Sequence, residues 1–217
     1  MMDGEGYVRS KVSLGQIGAA LQAYQNENGR LPPAVVYGKG GQPLYSWRVL
    51  LLPYLVEDDL YKQFHRDEPW DSPHNKPLLE PIPTEYRPAL GGDDGPGLTR
   101  YQVLVGPGTA FERDGLTWAD FPDGLAGTLL VVEAGEAVPW SKPADLAYDP
   151  AGPLPPLGGV FTKPVHFFCY ELRREPGFNA CFADGTTRFI AGKTGEKTIR
   201  ALITRNGGEK IDVTRLD

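Results

Sequence analysis

Val8-Arg-Ser-Lys-Val-Ser-Leu-Gly-Gln-Ile-Gly-Ala-Ala-Leu-Gln-Ala-Tyr-Gln-Asn-Glu-Asn28 is the stretch that sets the architecture. Leu14, Ile17, Leu21, Tyr24 and Asn28 recur at alternating spacings of three and four, which draws one narrow stripe along a helix. Gly15, Gly18, Ala19, Ala20 and Ala23 are small and permit a close approach to whatever lies beneath. Asn28-Gly29 is a good C-terminal stop, and Pro32-Pro33 prevents continuation. A helix with one apolar stripe must bury it, here on a sheet.

The sheet comes from the second half of the chain. Tyr101 to Val105, Thr128 to Glu133, Val165 to Leu172, Phe178 to Ala183 and Thr186 to Ile190 are rich in β-branched and aromatic residues. Asp184-Gly185 joins the last two as a tight hairpin turn. Between helix and sheet the sequence predicts short helices. Ser46 caps one over Trp47 to Leu52, which Pro53 breaks. Another covers Glu57 to His65, with Leu60, Tyr61 and Phe64 inward. A third is capped by Asp71, with Pro73 in its first turn and Leu78-Leu79 buried. Thr194 to Arg205 closes the chain as a helix.

The expected class is therefore α+β, a long N-terminal helix packed on an antiparallel β-sheet with long Pro/Gly-rich loops. One domain spans residues 1–217. Residues 1–30 form the helix, 31–97 short helices and loops, 98–192 the sheet, and 193–217 a closing helix and tail.

Composition narrows the partners. The 217 residues include 27 glycines and 21 prolines, so much backbone is irregular yet held by packing. The formal net charge is −6. Arg173-Arg174 is the longest basic cluster, and phosphate-backbone binding needs clustered cations, so nucleic acid is excluded as a partner. No apolar run approaches the ~18 residues of a membrane-spanning helix, so no membrane insertion is expected of the chain as given. Asp3-Gly4-Glu5-Gly6 cannot continue an apolar helix. A start at Met1 implies a cytoplasmic protein; a truncated, anchored form implies the cell envelope.

Cys169 and Cys181 form no CxxC, and too few ligands surround them for structural zinc. If Arg173 to Gly177 is a hairpin loop, Cys169 faces Cys181. Two reduced thiols and a disulfide both fit that register. Glu133 and Glu136 end an apolar strand near Trp140. With Trp47 and Trp70 they suggest a cleft for a ligand such as a carbohydrate, or for hydrolysis. An ion pair of Glu133 with Arg48 is the plainer reading. No nucleophile, base and orienting group come together, and no phosphate-binding loop or GxSxG or HExxH motif is present, so an enzyme is not indicated.

Several motifs resemble a known family. Gln16-Ile-Gly-Ala-Ala-Leu-Gln-Ala-Tyr24 and Asn28-Gly-Arg-Leu-Pro-Pro33 are similar to the helix-to-loop junction of prepilin-like proteins. Ser46-Trp-Arg-Val-Leu-Leu-Leu-Pro-Tyr-Leu55 and Asp67-Glu-Pro-Trp-Asp-Ser-Pro-His-Asn75 follow. Val105-Gly-Pro-Gly-Thr-Ala-Phe111, Val131-Val-Glu-Ala-Gly-Glu-Ala-Val-Pro-Trp140, Phe182-Ala-Asp-Gly185 and Arg200-Ala-Leu-Ile-Thr-Arg-Asn-Gly-Gly208 complete the set. Together they resemble the DUF1559 family, abundant in planctomycete bacteria. The resemblance implies a pilin-like fold and a structural or protein-interaction role in an envelope-associated assembly. It carries over no catalytic residue. Relatives often place a His ten residues before the Asp-Gly turn; here Arg174 stands there. Some pilin-like proteins have a comparable Asp-Pro-Trp segment beside a calcium loop. By that likeness Asp67, Asp71 and His74 are candidate metal ligands and calcium the candidate ion, with Glu68 and backbone carbonyls completing about six to eight oxygens.

Overall fold

Residues 2–89, 95–159, 162–167, 170–213 and 216 are described by the computed structural model. The helix α1 (Met2–Asn28) starts earlier than Val8 and stops where the sequence predicts. Gly29 closes it at φ 70°, a left-handed position, with its N–H donating to the Gln25 carbonyl at 2.8 Å. Leu14, Ile17 and Leu21 are fully buried. Tyr24 packs edge-on against Tyr54, and Asn28 stays exposed. Gly18 is where the close approach occurs: a Cβ there would collide with Cys181 Sγ.

A hairpin that the sequence reading missed comes next, β1 (Val35–Tyr37) and β2 (Pro43–Ser46). Ser46 then caps α2 (Trp47–Leu50), its Oγ accepting from Arg48 N at 3.3 Å. Pro53 ends the α-helix but opens a 3-10 turn, Leu52–Leu55. The helix α3 (Asp58–Gln63) buries Leu60. The helix expected after Asp71 is instead a 3-10 turn, Lys76–Leu79, preceded by Asn75. Asp71 is exposed, and Leu78 and Leu79 are only half-buried. Pro77 would fall in the interior of a helix begun at Asp71, where its missing N–H is not tolerated, but it fits the first turn of Lys76–Leu79.

The strands are β3 (Leu98–Gln102), β4 (Leu104–Val105), β5 (Leu129–Pro139), β6 (Leu146–Ala147), β7 (Thr162–Phe167), β8 (Tyr170–Phe182) and β9 (Thr187–Ala191). The five-stranded antiparallel sheet runs β3-β5-β8-β7, with β9 also bonded to β8. β4 and β6 form a small parallel pair inside the long Pro-rich loops. The Asp184-Gly185 turn forms as expected: Gly185 sits at φ 82° and Asp184 Oδ1 accepts from Thr186 N at 2.9 Å. The closing helix is α4 (Glu196–Ile203).

One expected turn is displaced. Arg173 to Gly177 is not a loop but the middle of β8, paired with β7 through Val165↔Arg173 and Lys163↔Glu175. The pairing of β7 with β8 continues past it to Phe167↔Tyr170. Charge and proline there suggested a loop, yet the ribbon leaves Arg173 and Pro176 exposed, so neither is penalised. The register that set Cys169 opposite Cys181 therefore does not form. Cys181 is a free, buried thiol facing Val131 and Thr187 across the ladders; Cys169 lies outside the described residues.

Alternation along β5 and β8 divides the apolar residues between two faces. Val131, Cys181 and Ala183 face α1 and the short helices, with Trp47, Tyr86 and Trp140 in the same core. Leu129, Val132, Ala180 and Phe182 face the other way, onto Leu202 and Ile203 of α4. Among the described residues no helix is long and apolar enough to cross a membrane.

Candidate functional site

The loop from α3 to the Lys76–Leu79 turn brings three potential ligands together. It begins with a tight turn in which Glu68 N donates to the His65 carbonyl at 3.1 Å. A turn of that kind sets its first and fourth residues side by side and sends the third outward. So His65 Nδ1 lies 3.1 Å from Glu68 Oε1, while Asp67 is exposed. A second turn, Ser72 N to the Pro69 carbonyl at 3.1 Å, folds the chain back. It delivers His74, whose Nδ1 lies 2.9 Å and 3.0 Å from the two Glu68 oxygens. The two imidazoles stack at 4.4 Å, 30° apart.

Asn75 holds this arrangement from below. It is fully buried. Its Oδ1 accepts from His65 N at 2.8 Å, and its Nδ2 donates to the carbonyls of His65 at 2.8 Å and Pro69 at 3.0 Å. The Asn75 N–H in turn donates to Ser72 Oγ at 3.1 Å. One side chain thus satisfies both backbone groups of His65 and the Pro69 carbonyl. Trp70 pins the far side, donating its backbone N–H to the Leu44 carbonyl at 2.7 Å. Glu68 is held down to about 2 by the Ser72 hydroxyl and the His74 and His65 rings, so it is an anion at neutral pH.

Of the candidate metal ligands Asp67, Asp71 and His74, only His74 enters this cluster. Asp67 and Asp71 are exposed. His65 and Glu68 were missed as a pair. The signal was the H-x2-E-x5-H spacing, which the capping logic applied to Asp71 concealed.

The Trp/Glu cleft is not assembled. Trp47 and Trp140 are fully buried and Trp70 half-buried. Tyr86 stacks on Trp140 at 6.0 Å, with Trp47 edge-on to Tyr86 at 6.4 Å. Such aromatic clusters bury large areas and fill cores. Glu136 lies within β5 rather than past its end and is exposed. It borders a groove of about 570 Å³ alongside Pro153 to Pro156, which none of the three tryptophans lines.

Glu133 is buried beneath α1. It accepts from the Ser10 hydroxyl and from Asn179 N at 2.8 Å. Burial pushes its carboxyl up to about 7. Arg48 is not its partner. Arg48 pairs with Asp145 at 2.7 Å, and also donates to the Tyr101 carbonyl and to Ser46 Oγ. Cys181, with its thiol pushed up to about 12 by burial, is no nucleophile.

Neither a curated protein nor a solved structure matches the chain. Residues 10–90 match the model of a family described as a protein of unknown function (DUF1559). That span runs from α1 through the His65–Glu68–His74 loop, and the family it matches is the one that the motifs resemble.

Proposed function

We propose that this chain is a structural or protein-interaction module of an envelope-associated, pilin-like assembly, and that the outward face of α1 is the surface offered to a protein partner. One observation carries this. Val8 and Val12 are 56% and 57% exposed, one helical turn apart. Ala19 and Ala23 continue the same stripe, also exposed. At about 100° per residue these four fall within one narrow sector, opposite Leu14, Ile17 and Leu21. An apolar ridge of small and β-branched side chains suits packing against another helix at close range. The burial of Trp47 and Trp140 supports the same reading, since it removes the aromatic lining that a ligand cleft would need.

Photo-crosslinking in cells that make the protein natively tests this. A crosslinkable residue at Val8 or Val12 is expected to trap a discrete envelope protein, and the same residue at exposed Lys197 is not. Equal trapping at both places would defeat the proposal. Fractionation of those cells separates the two locations: recovery only in the cytosol contradicts the envelope role.

A further inference from the structure

We infer that His65, Glu68 and His74 form a binding site for a divalent transition-metal ion of the zinc type. The chain has three histidines, and two of them converge on one carboxylate. The ligand atoms of all three residues lie within 4.8 Å of one another. Around a metal at about 2.0–2.2 Å from each ligand, tetrahedral donors stand about 3.4 Å apart, so shifts of a few tenths of an ångström to about one ångström complete the site.

The donor set selects the ion. Two imidazole nitrogens and one carboxylate suit Zn²⁺, Co²⁺ or Ni²⁺. Calcium takes about six to eight oxygens, and Asp67 and Asp71 are exposed and are not part of the cluster. Each imidazole Nδ1 now faces a carboxylate oxygen, a contact that a bound cation replaces with a ligand bond. The competing cation is also turned aside: Arg66 lies over the Tyr61 ring at 4.7 Å and donates to the Tyr61 hydroxyl at 2.8 Å.

The supporting frame is already built. Asn75 follows His74 in the chain and clamps both backbone groups of His65. One buried side chain therefore fixes the spacing of the first and last ligands, the service that outer hydrogen bonds perform around metal sites. Three protein ligands leave a fourth position open on the solvent side for water or a group from a partner. Binding closes the loop from His65 to His74 and stabilises the fold by mass action. This inference is independent of the α1 surface.

Isothermal titration of the untagged protein with Zn²⁺, with Co²⁺ absorption as a second readout, tests it. The expected result is one ion per chain. H65A, H74A and E68Q each weaken binding by about tenfold or more, H166A leaves it unchanged, and Ca²⁺ produces no heat. Far-UV circular dichroism is expected to match wild type, because His65 and His74 are exposed. Absence of Zn²⁺ binding, or binding that survives both H65A and H74A, overturns the inference. So does binding that depends on His166.

Discussion

Arg48 and Asp145 stand 97 residues apart in the chain and meet at 2.7 Å, both shut away from water. Asp145 Oδ1 also accepts from Val103 N at 3.0 Å and from Trp47 Nε1 at 3.2 Å. One carboxylate oxygen thereby ties α2, the β3–β4 segment and the long loop after β5. Removing one partner strands the other charge in the core. We expect R48M or D145L alone to cost about 3–5 kcal/mol, and the double variant R48M/D145L to cost much less than the two single changes together. Urea unfolding of the four proteins in a double-mutant cycle measures the coupling, and additive effects would count against it.

Glu133 sets a pH dependence with a definite sign. Its folded value of about 7 lies above the ordinary 4.5. The folded state therefore binds the proton more tightly than the unfolded chain. Its contribution to stability is full below about 4.5, shrinks as the pH rises, and is gone above about 7. The span is worth about 3 kcal/mol. The urea midpoint is expected to fall between pH 5 and pH 8 in the wild type. In E133Q it is expected to hold nearly level, with the amide oxygen still accepting from Asn179 N and its NH₂ facing Ser10. An equal slope in both proteins would place the effect elsewhere.

Gly18 and Cys181 predict a rescue. G18A drives a methyl group into the buried sulfur and is expected to destabilise by about 1–3 kcal/mol, despite the better helix propensity of alanine. C181A removes the obstacle. The double variant G18A/C181A is expected to recover most of the loss, and thermal melts of the three variants decide it.

Asn75 predicts a local failure. N75A leaves His65 N and two loop carbonyls without partners, at about 2–3 kcal/mol. Because the loop is at the surface, water reaches the freed groups when it opens. Limited proteolysis is expected to cut between residues 65 and 75 in the variant before the wild type. Equal cutting would show that the loop is held by other contacts.

The physics explains what could be foreseen. The α1 stripe was legible because Leu14, Ile17 and Leu21 keep helical spacing and all three meet the sheet. The Asp184-Gly185 turn was legible because its geometry needs a glycine and an aspartate at those places. β8 was not. Its charged middle, Arg173 to Glu175, is loop-like locally, and only pairing with β7 makes it strand. β1 was hidden by its length, three residues between Pro32-Pro33 and a glycine turn. The site was half legible. His74 was singled out, but which acidic group it meets depends on two consecutive turns. The resemblance to calcium loops favoured Asp67 and Asp71, which are exposed and stand outside the cluster.

The docking of α1 on the last strands has a consequence for biosynthesis. Gln22 donates to the Ala183 carbonyl at 2.6 Å, across 161 residues, and Asn179 reaches the Tyr7 carbonyl at 3.1 Å. The helix leaves the ribosome well before the strands β8 and β9 on which it rests. At ~5–20 residues per second, that delay is roughly 10–30 s. Throughout it, the surface that covers Leu14, Ile17 and Leu21 is incomplete, with the short helices present and β8 still to come. The native docking of α1 is therefore complete only once the ribosome has passed the Asp184-Gly185 turn.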